Sequence, residues 1–226
     1  MQYFNAPAFV GYLGNWFLIK GVGVTIALTM AGVVGGLVVG MFVALLRMAD
    51  NRPLQWIAGG YIWLFRGTPL LIQLIVIYTG LPQVGIKLGA IETALVGLIL
   101  HEAAYMAEII RSGFMSVPAG QREAGMALSL SGRTAFWRVV LPQAFRLMIP
   151  PLGNSINGLL KATSLASVIS VEEIMRRSEM LMQEQFQTLE VYAAAAVYYL
   201  ILTTLWDLVQ RPLEKHFGRF IPTKGR

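Results

Sequence analysis

Two sets of polar side chains recur at helical spacing inside stretches that are otherwise apolar. His101, Tyr105, Glu108 and Ser112 fall at i, i+4, i+7 and i+11. At about 3.6 residues per turn they share one narrow stripe, extending roughly 16 Å. Glu102 lies to one side of it. Asn154, Asn157, Lys161 and Ser164 make a second stripe by the same arithmetic. Ionisable groups within a membrane span are costly and mark functional pathways. Joined to the interrupted segment Arg66-Gly67-Thr68-Pro69, the two stripes could enclose a hydrated cavity near the membrane centre. Their chemistry is charge pairing and hydrogen bonding, with no covalent step. Each residue also has a plainer reading. Glu108 pairs with Arg111 or Arg66, Asn154 and Asn157 bond across helices, and Lys161 snorkels to the outer interface. His101 is then a structural hydrogen-bonding residue and Tyr105 a packing one.

The elements that must position these groups are membrane helices. Of 226 residues 56% are hydrophobic and only 13% charged, where soluble domains carry about 25% charged residues. Mean hydropathy is +0.61. There is no cysteine for a disulfide or thiolate metal site, and two histidines do not make a metal cluster. The net charge of +6 reads as cytoplasmic loop charge rather than nucleic-acid binding. Met1 to Asn15 lacks the basic region that opens a cleavable signal.

A bilayer core of roughly 30 Å needs about 20 mostly apolar residues per helix. Five segments qualify, at about 22–46, 54–81, 93–110, 145–165 and 191–209. Arg66–Pro69 in the second and Pro150-Pro151 in the fourth should kink or unwind their helices. Such backbone is tolerated only where protein or a watery cavity receives it. Basic residues set the orientation. Arg47, Arg52, Arg111, Arg122, Arg133, Arg138, Arg211, Lys215, Arg219, Lys224 and Arg226 fall on one side. Lys20, Lys87, Arg176 and Arg177 fall on the other. Eleven against four puts the N-terminus outside and the C-terminus in the cytoplasm. One all-α domain spanning 1–226 follows, with no internal repeat. In the outer loop 166–190, Ser170 and Glu173 stand at capping-box spacing before a short helix expected on the outer face.

The cytoplasmic loop 116–142 is basic and helix-prone. Ser116 and Pro118 read as a helix start, Ser131-Gly132 as a break, and Thr134–Val140 as a second helix that stops at Leu141-Pro142. From the pattern alone it is either a docking knob or an amphipathic hairpin on lipid headgroups.

Its residues resemble a known signature. Permease subunits of ATP-binding-cassette (ABC) importers carry Glu-Ala-Ala, three residues, Gly, nine residues, Ile, one residue, Leu-Pro. This chain has Glu123-Ala124-Gly125, Ser129, Val139 and Leu141-Pro142 at that spacing, with Gly125 and Ser129 as departures. Six segments in order resemble the polar amino-acid branch (histidine, glutamine, arginine and opine types). They are Phe65–Leu70, Ala104–Ile109, Ser116–Gln121, Leu141–Ala144, Pro150–Asn154 and Lys161–Leu165, the last with Ala162 where many relatives have Asp.

The resemblance implies a type I importer permease with cytoplasmic coupling helices. Gly120, Glu123, Ala124, Gly125, Ser129, Leu141 and Pro142 would then meet an ATPase. A second permease subunit, identical or not, and an extracytoplasmic binding protein would complete the complex, in a bacterial inner membrane. The chain has no Gly-x-x-x-x-Gly-Lys-Ser/Thr loop, so ATP and Mg belong to the partner and no cofactor is expected here. For an amino-acid cargo, Lys161 or Arg66 suits the carboxylate and Glu108 or Glu102 the ammonium, with Thr68, Tyr105, Asn154, Asn157 and Ser164 along the path. A competing class is an ion-coupled secondary transporter using Glu102, Glu108 and Asp207, which usually carries inverted repeats. A non-transporting membrane scaffold is a third.

Overall fold

The computed structural model describes residues 4–218. Of the basic tail, Arg219, Lys224 and Arg226 lie outside these. Two helices open the chain, α1 (Ala6–Leu13) and the 33-residue α2 (Trp16–Met48). α3 (Arg52–Gly67) and α4 (Leu70–Gly80) follow, then α5 (Ala90–Met115). Short helices α6 (Ala119–Ala127) and α7 (Gly132–Ala135) lead through a π-helical turn, Phe136–Val140, into α8 (Leu141–Ala162). A 3-10 segment, Thr163–Ile169, precedes α9 (Ile174–Gln185) and α10 (Thr188–Gly218). Asparagines start the early helices. Asn15 Oδ1 accepts from Phe17 N–H at 2.8 Å and Asn51 Oδ1 from Leu54 N–H, each taking up a donor that the first turn leaves free.

α5 is the axis, packed on α2, α3, α4 and α8. Hydrocarbon tails are as apolar as leucine, so burial alone does little to hold spans together in a bilayer. Close approach does more. Gly32, Gly36 and Gly40 supply it along one face of α2. A Cβ on Gly36 would stand 2.9 Å from Glu102 Cβ, and one on Gly40 2.7 Å from Met106 Cβ. The sequence reading passed over this Gly-x-x-x-Gly ladder. Around the contact lie two clusters, one with Val43, Ile62, Ile110 and Met148, the other with Leu28, Leu74, Leu98 and Leu159.

α2, α5 and α10 are each long and apolar enough to cross a membrane, and the pair α3–α4 would be a fourth crossing if it is one broken span. α8, which carries the expected fourth span, is amphipathic and does not meet that measure. The break at Arg66–Pro69 is a 104° bend. Pro150 and Pro151, expected to kink or unwind their helix, do not unwind it and sit inside continuous α8. The irregular backbone comes later, at the 3-10 segment.

Three helix boundaries also differ from expectation. α6 begins at Ala119 without a side-chain cap, while Ser116 Oγ donates back to Ser112 O at 2.7 Å, closing α5. Leu141-Pro142 does not stop a helix, because the π turn runs straight into α8, where the first turn needs no proline N–H. Glu173, not Ser170, caps α9. Its Oε1 accepts from Arg176 N–H at 2.9 Å, and Ser170 instead ends the 3-10 segment with φ +67°. Nor does the start of α9 lie on a surface. Glu173 is fully buried, accepting from Tyr199 Oη at 2.5 Å and Thr25 Oγ1 at 3.5 Å, which ties α9 to α10 and α2.

Candidate functional site

The two polar stripes meet where α5 crosses α8, around an open cavity of about 320 Å³. His101, Glu102 and Tyr105 line it from α5, and Asn154 and Ser155 from α8. Gly158 leaves room beside them. Glu102, expected to one side, is a wall of this cavity. Its residue is 3% exposed, and Oε1 accepts from Ser155 Oγ at 2.6 Å. A carboxylate so deeply placed is costly without donors, so the hydroxyl of Ser155 is part of the site. Sequence reading missed Ser155 because it falls beside the stripe that begins at Asn154. Arg66, on the broken helix, does not line the cavity but places its guanidinium 5.2 Å from the ring centre of Tyr105, within cation–π range.

The bend that brings Arg66 there is stitched by Gln73, a residue the sequence reading also missed. Gln73 is buried on α4. Its Nε2 donates to Phe65 O (2.9 Å), Thr68 O (3.0 Å) and Thr68 Oγ1 (2.9 Å), sharing two hydrogens among three acceptors. Its Oε1 faces His101 Nδ1 at 3.1 Å, so that ring nitrogen carries the proton. Thr68 and His101 thus serve the bend.

Other expected pathway residues are engaged elsewhere. Glu108 is held by Arg111, which donates Nε to Oε2 at 3.0 Å and Nη2 to Oε1 at 2.5 Å. Asn157 Nδ2 donates to Asp207 Oδ1 at 3.0 Å on α10, and Asn154 Oδ1 accepts from Gln210 Nε2 at 3.4 Å. Trp206 Nε1 adds a bond to Gly153 O at 2.9 Å. These are interhelical links, as the plainer reading held. Ser164 Oγ returns to Lys161 O at 2.7 Å and closes α8. Lys161 is exposed on the last turn of α8.

The second site is the loop after α5. α6 and α7 form a helical knob. Gln143 at the start of α8 donates to Gln121 Oε1 at 3.2 Å, and Phe114 stacks on Phe136 with centroids 5.8 Å apart. Gln121, Arg122, Glu123 and Ala124 are exposed, with Met126, Leu128 (74% exposed) and Trp137 beside them. Gly120 and Pro142 are also exposed, and Leu141 is half-buried. Gly125 is buried where α6 meets α7; a Cβ there would meet Ala135 Cβ at an ordinary 3.4 Å. Ser129, where the resembled signature has Gly, ends the α6 turn in the left-handed region, φ +56°. Leu130 N–H bonds back to Gly125 O at 3.1 Å, closing that turn.

Long apolar helices, a polar cavity between two helices and an exposed helical knob are the architecture of a membrane transport protein. The family model described as the binding-protein-dependent transport system inner membrane component matches residues 36–219, and the chain belongs to that family. It is similar to a probable amino-acid ABC transporter permease, YckA of Bacillus subtilis, at 36% identity over 91% of each chain. The L-cystine permease TcyB of the same organism is 39% identical, over 89% of this chain and 86% of that one. The glutamine permease GlnP of Escherichia coli K12 is 36% identical over 88% and 91%. Among solved structures, an amino acid ABC transporter crystallised with histidines superposes with a TM-score of 0.89 at 32% identity, over 95% of this chain and all of that one. The chain is therefore a multi-pass permease subunit of an ABC importer and not itself an enzyme. The ion-coupled alternative finds no support among these relatives.

Proposed function

We propose that this chain forms half of the translocation pathway of an ATP-driven importer for polar amino acids or close derivatives. The observation that carries the reading is the cavity between α5 and α8, where the buried carboxylate of Glu102 stands near Tyr105 and, over its ring, Arg66. A zwitterion's ammonium suits Glu102 and its carboxylate suits Arg66. Glu108, taken up by Arg111, is the weaker acceptor. Asn154 lines the same cavity, and Lys161, Asn157, Thr68 and Ser164 serve the path more remotely. The cargo classes in the names of relatives, glutamine, cystine and arginine, all fit this polarity.

In the same reading the chain is one domain with five crossings, the bent α3–α4 pair and α8 among them, and α8 can be polar because it lines the pathway. Its N-terminus lies outside and its C-terminus in the cytoplasm of a bacterial inner membrane. A second permease subunit completes the cavity, and a binding protein delivers solute from outside. ATPase subunits, which bind the ATP and Mg, dock on residues 118–141 through Gly120, Glu123, Ala124 and the turn at Gly125 and Ser129. ATP-driven closure draws the two knobs together and alternates access to the cavity. The test is reconstituted uptake of labelled glutamine, cystine and arginine with the cognate ATPase and binding protein. Glu102→Gln should lower uptake at least tenfold with ATPase association intact, and Glu123→Arg should abolish that association. Unchanged uptake in the first variant removes the substrate assignment; retained association in the second removes the docking assignment.

A further inference from the structure

We infer that a slot on α3, between Trp56 and Trp63, binds an anionic phospholipid. Trp56, Gly59, Gly60 and Trp63 stand at i, i+3, i+4 and i+7, so they share one helix face. The two indoles are 80% and 76% exposed, and between them the surface over Gly60 is open, a Cβ there meeting nothing within 4 Å. The resulting cavity, about 390 Å³, is closed at one end by Arg47 from the last turn of α2 and by Gln55.

Arg47 is positioned for a ligand. One Nη1 hydrogen bonds Gln55 O at 3.1 Å, and Gln55 Nε2 in turn grips Ala49 O at 2.7 Å. That anchors the guanidinium beside Gly59, where a Cβ would stand 3.3 Å from Nη1. The rest of its donor fork remains for phosphate, whose oxygens it matches in pairs. No carboxylate lies within 4 Å of it among the described residues. Arg52, also exposed, opens the same helix. The loop between α2 and α3 ends a spanning helix, so the site lies at the membrane–water boundary, where tryptophans concentrate and anionic headgroups are found. Cationic end, aromatic walls and apolar slot match a phosphate headgroup with the first part of its acyl chains. Neither Arg47 nor the tryptophans belong to the cavity at Glu102, so this inference stands apart from the transport reading.

The test uses the full-length chain with its ATPase in nanodiscs. Tryptophan quenching is followed as acyl-brominated phosphatidylglycerol or phosphatidylcholine replaces unlabelled phosphatidylcholine. The contribution of the slot is the difference between the parent and a Trp56→Phe, Trp63→Phe pair. Half-quenching should need about fivefold less brominated phosphatidylglycerol than phosphatidylcholine, the worth of one arginine beside an anionic headgroup. Arg47→Gln should erase that preference and Arg47→Lys keep most of it. Gly60→Leu, where a Cβ meets nothing within 4 Å, should fill the slot and reduce quenching by both lipids. Equal quenching by the two lipids would reduce the site to ordinary bilayer contact. No quenching from Trp56 and Trp63 would mean that a second copy or another protein covers the face. Loss of the preference in millimolar inorganic phosphate would make it a phosphate site rather than a lipid site.

Discussion

Gln73→Met is the sharpest test of how the broken helix is held. Methionine keeps the length and volume of the side chain but cannot donate a hydrogen bond. The substitution would remove three contacts at 2.9–3.0 Å and the partner of His101 Nδ1. Phe65 O and Thr68 O belong to the end of α3, where helix geometry leaves carbonyls without intrahelical donors. Each buried group left unsatisfied costs about 1–3 kcal/mol. Two such carbonyls, partly relieved by movement of the bend, make a loss of about 2–4 kcal/mol. For a chain of this size each kcal/mol lowers the melting temperature by about 2–4 °C. The detergent-purified complex should therefore melt roughly 4–16 °C lower than the parent. Uptake should fall by more than stability requires, since Arg66 at the bend would lose its position over Tyr105. His101→Leu, which takes away only one bond and leaves Gln73 Nε2 in place, should cost under about 1.5 kcal/mol. A Gln73→Met protein melting within a degree of the parent and transporting at its rate would refute the reasoning. The 104° bend would then owe its geometry to other contacts.

Ser129→Gly should stabilise the knob by about 1 kcal/mol, because a left-handed turn costs a side-chain residue that much more than glycine; the melting temperature and ATPase co-purification read it out, and a lowered melting temperature would contradict it. Gly36→Leu and Gly40→Val should yield no monodisperse protein on gel filtration, since added carbons would overlap Glu102 and Met106 on α5, whereas Gly23→Ala, with open space around it, should purify normally. Glu173→Leu strands the Tyr199 and Thr25 hydroxyls and the Arg176 N–H, a loss of about 3 kcal/mol or more; Glu173→Gln, which retains an acceptor, should lose less than half of that, as thermal melts of the two variants side by side would show.

Part of the candidate cavity was legible because helical spacing converts directly into a shared face. His101, Tyr105 and Asn154, all on the two stripes, line one cavity, while Glu102, set beside its stripe, joined them only in the fold. The knob stands where the Glu123–Pro142 spacing put it. Gln73 and Ser155 were not legible. Neither is charged and neither stands on a stripe, and each matters only through a group on another helix. Glu173 had a visible local role as a capping residue, but burial among α2, α9 and α10 made it an interhelical anchor. Pro150 and Pro151 were expected to kink or unwind their helix, and α8 continues through both without unwinding.

The sequence by itself determined that this protein is helical and membrane-bound, and that a helix-prone polar loop follows the third apolar segment. Hydropathy and periodicity act along the chain, so they survive without knowledge of neighbours. Only the tertiary structure decided which polar groups line the cavity and which bind one another. Glu102 and Glu108 are both carboxylates on α5. One is a cavity wall capped by Ser155, and the other is neutralised by Arg111 a turn away. For Glu102 that outcome depends on α8 lying opposite and supplying Ser155, whereas the pairing of Glu108 with Arg111 is local to α5.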